Sequence, residues 1–353
     1  MRRRLPEETG IFLILIIVAA VMSVLSANFR TWDNAQLLLL NGAVIAFLAL
    51  GQTFVLLTGG IDLSTGSTVA MTGVLAGVMM RSGLSWELAA LVALAAGAAL
   101  GVFNGAVIHY VGLPAFIVTF STFGVAASIP QIITGASSVL IKDQGFTVVG
   151  RGAFAGVPMP VVLVAVAAVV LTLLLRRTAL GVHIYAVGGS AEASRLAGVG
   201  IGRTTMFVYG ISGLCAAFGG LITTSRLMVG YPSAGSGNEL FFSIAAAVVG
   251  GVSLFGGTGS VPGALLGAVL IATVSNGMNV LGVESYWQPL VIGLIILGGV
   301  VLDTYRRRLS LRELFHRLTG RSAATDAGSS LPSPTTPSPN GAADTRTGSV
   351  PSQ

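Results

Sequence analysis

Apolar stretches long enough to cross a lipid bilayer set the strongest limit on what this chain can fold into, because a helix needs about 20 consecutive apolar residues to span the hydrocarbon core. Seven are plain: residues 11–27, 35–58, 88–110, 113–134, 158–175, 205–224 and 286–302, with few or no charges inside them. Three more, 67–80, 240–254 and 263–281, are shorter, Gly-rich and interrupted. Segments of that kind read as half-helices or broken helices lining a polar cavity, since irregular backbone is tolerated at membrane depth only away from lipid. The expected fold is therefore an all-α polytopic membrane protein with about ten transmembrane helices. Composition closes off the soluble alternative. Of 353 residues 53% are hydrophobic and 9% charged, against about 25% charged in an ordinary soluble domain. The 48 glycines suit helices that pack closely within a membrane.

A net charge of +6 would suggest nucleic acid in a soluble protein. Here the cations sit in clusters between apolar runs and read as topology signals, with no nucleic-acid partner. Arg2, Arg3 and Arg4 form the first cluster; Arg176, Arg177, Arg195 and Arg203 the second; Arg306, Arg307, Arg308, Arg312, Arg317 and Arg321 the third. Six spans between the first two and four between the last two place all three in the cytoplasm, with both termini inside. The expected organisation is a cytoplasmic N-terminus at 1–10, a membrane domain at 11–304 with a loop at 176–204, a basic segment at 305–320, and a disordered Ser/Thr/Pro-rich cytoplasmic tail at 321–353. A competing reading makes residues 1–27 a cleaved signal peptide, leaving the later topology unchanged. The single cysteine, Cys215, lies in an apolar, Gly-rich run and is read as packing.

Signatures of catalysis are missing from the sequence. Lys142 has no Gly-rich turn before it and no Ser or Thr after it, so there is no phosphate-cradling loop. His109, His183 and His316 are far apart and lack metal-ligand spacing. Asp62 has no second membrane aspartate with which to share a proton. Neither an enzyme, a metal site nor a bound cofactor is expected.

An internal repeat stands out instead. Gly59-Gly60-Ile61-Asp62-Leu63, followed by Gly66-Ser67-Thr68-Val69, is echoed by Gly250-Gly251-Val252-Ser253-Leu254, followed by Gly259-Ser260-Val261. The topology puts both copies on the cytoplasmic side, so the halves would be related in parallel. Such a repeat points to a transport pathway; the plainer alternative is two Gly-rich turns alike by composition. Small residues at four-residue spacing, Gly73 with Gly77, Gly97 with Gly101 and Gly105, and Gly263 with Gly267, would let helix backbones touch.

Polar residues inside or beside the spans are few, and Asp62, Asn104, Asn276, Asn279 and Gln288 are the candidates to line the pathway. Asp62, Arg226, Glu239 and Glu284 fall near predicted span ends, where a solvated end group is the competing reading. Asn104, Asn276 and Asn279 are expected deeper, where their amides would bind a polyhydroxylated solute or tie helices together. The absence of a chain of buried carboxylates argues against a proton- or sodium-coupled transporter.

The loop at 176–204 is too long for a simple turn. Ser190 is placed to cap a short helix with Glu192 in its first turn and Gly198 at its end. Ala193, Leu196 and Ala197 would share one face, and Glu192 and Arg195 another. Such a helix suits a lever for a soluble partner; lying on the bilayer surface is the alternative.

The stretches Gly59-Gly60-Ile61-Asp62-Leu63-Ser64, Gly112-Leu113-Pro114-Ala115-Phe116-Ile117-Val118-Thr119, the loop 185–198, and Gly250-Gly251-Val252-Ser253 with Gly256-Gly257-Thr258-Gly259-Ser260 together resemble the permease subunits of ABC importers of the ribose, xylose and galactose type, over about residues 36–303. The resemblance implies that 190–198 is a coupling helix, with Ser190, Glu192, Ala193, Arg195, Leu196 and Gly198 docking on a separate ATPase subunit that binds the ATP. It further implies a homodimer in a bacterial cytoplasmic membrane, an extracytoplasmic sugar-binding protein, and alternating access. Two departures bear on partner and solute choice: Ser190 and Ser194 stand where Asn and Ala are expected, and Phe120-Ser121-Thr122 replaces a more usual Leu-Gly-Thr. The rival readings are a branched-chain amino acid or nucleoside importer permease, and a self-sufficient facilitator or secondary transporter.

Overall fold

The computed structural model describes residues 8–235, 238–301 and 304. The first and third arginine clusters, the basic segment at 305–320 and the tail at 321–353 lie outside the described residues. Helix α1 (Glu8–Leu25) leads to α2 (Trp32–Leu57), whose first turn carries Asp33 and is capped by Thr31, the hydroxyl accepting from Asn34 N–H at 3.3 Å. Helix α3 (Thr65–Arg81) and α4 (Trp86–Ala106) follow, α4 continuing through a π-helical turn at Val107–Val111 that ends where Gly112 takes φ 76°. Then come α5 (Ala115–Thr134), α6 (Thr147–Arg151), α7 (Met159–Arg177), α8 (Ala179–Gly189), α9 (Ala191–Leu196), α10 (Ile201–Leu227), α11 (Glu239–Val249), α12 (Val261–Val280) and α13 (Ser285–Val301).

Each predicted apolar segment overlaps a helix, although 250–254, expected within a span, belong to the stretch that follows α11. Among the described residues seven helices are long and apolar enough to cross a membrane: α1, α2, α4 with its π-helical turn, α5, α7, α10 and α12. The chain is thus a multi-pass, all-α membrane protein. Two expectations need correction. Segments 67–80 and 263–281 form the continuous helices α3 and α12, because their glycines are contact points between helices, not breaks. Residues 179–189, expected as loop, form α8, which Thr178 caps by accepting from Gly181 N–H at 3.3 Å.

Helix α10 is the central post, packed against α4, α2 and α3. Gly97, Gly101 and Gly105 of α4 lie against α10 backbone at Gly213, Tyr209 and Met206, so a side chain at any of them would collide with main chain. Cys215 is buried in this core. Helices α1, α4, α5 and α7 keep most of their apolar surface on the outside, as lipid-facing helices do.

The linkers at 58–64 and 250–260 meet at one end of the bundle, where Gly257 N–H donates to the Leu57 carbonyl at 2.9 Å. The start of α1 is there too, Ser260 Oγ donating to Glu8 Oε1 at 2.9 Å. At the opposite end residues 135–158 cover the bundle. Val139–Leu140 pair antiparallel with Val229–Gly230, and Gly150 N–H donates to Ser225 Oγ at 2.8 Å.

Candidate functional site

The two repeated linkers converge on the end of α8. Gly188 packs so closely on the Leu57 carbonyl and the Gly257 nitrogen that a Cβ there would overlap both. Gly257, at φ 77°, uses a left-handed conformation that glycine adopts without strain. Tyr185 OH donates to the Gly259 carbonyl at 2.8 Å. Burial pushes the Tyr185 phenol above its ordinary range, with Arg176 pulling weakly the other way, so it remains a donor. Gly59, Gly257 and Gly259 therefore belong to one backbone junction with α8, while Gly60 packs on Tyr209 of α10 and Val55 of α2. Gly66, Gly250 and Gly251 lie one step away: Gly66 touches Gly235, Gly250 touches Gly263, and Gly251 faces open space at φ 90°.

Beside that junction sits Asp62, fully buried. Its Oδ1 accepts from Ser64 N–H at 3.0 Å and Ser64 Oγ at 2.6 Å, and its Oδ2 accepts from Ser212 Oγ at 2.7 Å. Asn104 Nδ2 donates to Ser64 Oγ at 2.9 Å, while Gln52 Nε2 donates to the Asp62 carbonyl at 2.7 Å. Helices α2, α3, α4 and α10 are thereby tied to one linker. A solvated end group at Asp62 is excluded by this burial. The buried Oε1 of Gln52 and Oδ1 of Asn104 have no hydrogen-bond partner among the described residues.

On the far side of α8 lies α9. Ser190 caps it as expected from sequence, accepting from Ala193 N–H at 3.2 Å, with Glu192 in the first turn and Gly198 at φ 79° beyond its end. Ala193, Leu196 and Ala197 face outward, and Leu196 is 86% exposed. The buried residue is Ser194, turned toward the bundle. Arg195 and Arg203 are exposed, have no ion pair among the described residues, and line a 300 Å³ cavity with His109 and Tyr110.

The five polar residues picked from sequence do not share one place. Asp62 and Asn104 belong to the buried node. Asn276 and Asn279, expected deep, lie in the final turns of α12, about 22 Å or more along the helix from its start. Asn276 exchanges hydrogen bonds with Asn34 at 3.0 and 3.1 Å, joining α12 to α2. Asn279 Oδ1 accepts from Gln288 Nε2 at 2.7 Å, and Ser275 Oγ donates to Gln288 Oε1 at 2.9 Å, joining α12 to α13.

Of the five, Gln288 alone lines the larger cavity, of 490 Å³, with Asn41, Arg226, Asn238, Glu239 and Ser275 among the other lining residues. Its floor is a discontinuity. Beyond α10 the chain turns back along α3, Gly230 touching Val74 and Gly235 touching Gly66, so it runs about 12 Å beside that helix before α11 begins at Glu239. The segment expected at 240–254 is thus short, as α11, but the break lies before it rather than within it. Sequence reading missed Asn41, Asn238 and Ser275 here, Gly188 and Tyr185 at the junction, and Ser212 at the node. The doublet Gly188-Gly189 inside an otherwise apolar run was the available signal for the junction.

A family model described as branched-chain amino acid transport system / permease component matches residues 34–300. The chain is 39% identical to the ribose import permease protein of Bacillus subtilis over 299 residues, covering 84% of this chain and 92% of the relative. It is 39% identical over 296 residues to a probable ABC transporter permease protein of Sinorhizobium fredii, covering 84% and 88%. The D-allose transport system permease protein of Escherichia coli is 34% identical over 299 residues, covering 84% and 91%. No solved structure matches the chain.

Proposed function

Because the chain belongs to the family of branched-chain amino acid transport system / permease components, we propose that it is the membrane subunit of an ABC importer that carries a monosaccharide inward by alternating access. The relatives from Bacillus subtilis and Escherichia coli described above are named for ribose and D-allose, which favours a pentose, hexose or related polyol over an amino acid. A binding protein on the outer face delivers the sugar, and ATP is bound and hydrolysed by a separate cytoplasmic subunit, leaving this chain non-catalytic.

One observation carries the mechanism: α9 presents Leu196, 86% exposed, while α8 behind it is locked by Gly188 to the end of α2, where the first linker begins, and by Gly188 and Tyr185 to the second linker. Leu196, with the exposed Ala193 and Ala197 beside it and Arg195 and Arg203 flanking it, suits the groove of a docking partner. Movement of α9 is passed through α8 to the linkers of both halves, and through Asp62 to α3, α4 and α10. Asn276 and Asn279 hold α12 in place as helix ties.

The second copy sits against α5. Ser121, Gly124, Ser128 and Gln131 form an exposed polar stripe at helical spacing on that membrane helix. Small and hydroxyl-bearing residues at such spacing suit the close packing of one membrane helix on another. The coupling end faces the cytoplasm of a bacterial inner membrane, which puts both chain termini inside. Replacing Glu192 by Arg, or Gly198 by Trp, is expected to abolish uptake while leaving insertion and dimerisation intact. Wild-type uptake by both variants would remove the coupling assignment.

A further inference from the structure

The geometry points to the 490 Å³ cavity above α11 as a monosaccharide-binding site within the permease itself, a resting place for the solute between the binding protein and the cytoplasm. The choice of sugar rests on the function proposed above; the site rests on four observations. Its volume falls within the roughly 300–1,000 Å³ of small-molecule sites. Polar groups reach it from five helices or their flanks: Asn41 on α2, Arg226 on α10, Asn238 and Glu239 at the start of α11, Ser275 on α12 and Gln288 on α13. The walls between them are apolar, Val44 and Phe242 included, which suits the faces of a sugar ring.

The third observation is an unmet acceptor. Glu239 Oε2 is buried and has no hydrogen-bond partner among the described residues. A buried acceptor left unpaired is costly, and a ligand hydroxyl would satisfy it. The fourth is charge kept apart. Arg226 lines the same cavity, yet it forms no ion pair with Glu239 and engages Leu40 O at 3.3 Å and Asn41 Oδ1 at 3.1 Å through Nη1 alone. Its Nη2 and Nε have no partner among the described residues, leaving donors for ligand oxygens. Glu239 also opens α11 after the chain's irregular run beside α3, an arrangement that places polar backbone at membrane depth where solute binds. Amide, hydroxyl, carboxyl and guanidinium groups spread over every wall fit a solute with hydroxyls all round its ring. A zwitterion has charge at two poles only.

The test is equilibrium binding of radiolabelled D-ribose and D-allose to the full chain in lipid nanodiscs, without ATPase or binding protein. Saturable binding of at least one sugar is expected. Glu239→Ala removes the acceptor and Thr223→Trp fills the cavity from α10; each is expected to weaken binding at least tenfold without shifting the thermal midpoint. Sugar binding that survives both substitutions would overturn the assignment, whatever uptake shows. Leucine displacing the sugar at equal concentration would overturn it as well. Binding that is lost in both variants while reconstituted uptake fails would uphold the site and strike the proposed function alone.

Discussion

Gly188 offers the sharpest separation between a lever and a passive turn. Adding one methyl group there, Gly188→Ala, drives a carbon into the Leu57 carbonyl and to 2.5 Å from the Gly257 nitrogen. Both obstacles are main chain and cannot swing aside. Overpacking of that kind costs about 1–3 kcal/mol, and the 2.9 Å bond from Gly257 to Leu57 is lost with it, worth about 0.5–1.5 kcal/mol more. The expected total is about 2–4 kcal/mol, or a fall of roughly 3 to 6 °C in the melting midpoint of a chain this long. Gly189→Ala is the built-in control: the next residue has nothing within 4 Å of a Cβ and no positive φ. Thermal melting of both variants in nanodiscs, alongside sugar-stimulated ATP hydrolysis by the assembled importer, reads stability and coupling separately. Gly188→Ala should lose both and Gly189→Ala neither. Equal behaviour of the two variants in both assays would refute the idea that α8 is wedged between the linkers.

Three further outcomes follow from the same geometry. Leu196→Asp should abolish co-purification of the ATPase subunit yet leave the melting midpoint within about a degree, since an exposed residue contributes little to the fold; a large midpoint shift would make α9 structural. Ser212→Ala removes the 2.7 Å bond to Asp62 and leaves a buried carboxyl oxygen without that donor, which should destabilise the chain by about 1–3 kcal/mol in denaturant unfolding, and an unchanged midpoint would show that Asp62 does not hold α10. Tyr185→Phe deletes only the hydroxyl bonded to Gly259; uptake should fall several-fold with expression unchanged, and full activity would remove α8's second link to the 250–260 linker.

What could be read without coordinates was whatever follows from period and composition. Helices α1, α2, α4 and α5 were expected because unbroken apolar runs allow little else in a bilayer, and the cap at Ser190 because its hydroxyl stands three residues before a free amide. Glycine was the ambiguous letter. Its abundance in 67–80 and 263–281 suggested breaks, yet Gly73 and Gly267 are where neighbouring helices touch, while the true discontinuity falls before α11. One residue type serves both purposes, so composition cannot separate them. Long-range placement was equally hidden. Nothing local tells Asn104, bonded to Ser64, from Asn276, bonded to Asn34, and both carry the same amide. Cavity residues such as Asn41 and Ser275 lie 234 positions apart in the chain and meet only through the packing of α2 on α12.

Uptake of labelled ribose and D-allose into proteoliposomes, driven by ATP and measured with each partner present or left out, tests the central claim most directly. Accumulation that requires this chain, its ATPase and a sugar-binding protein together is the predicted result. Uptake by this chain alone would contradict it, leaving α9 without a partner to serve.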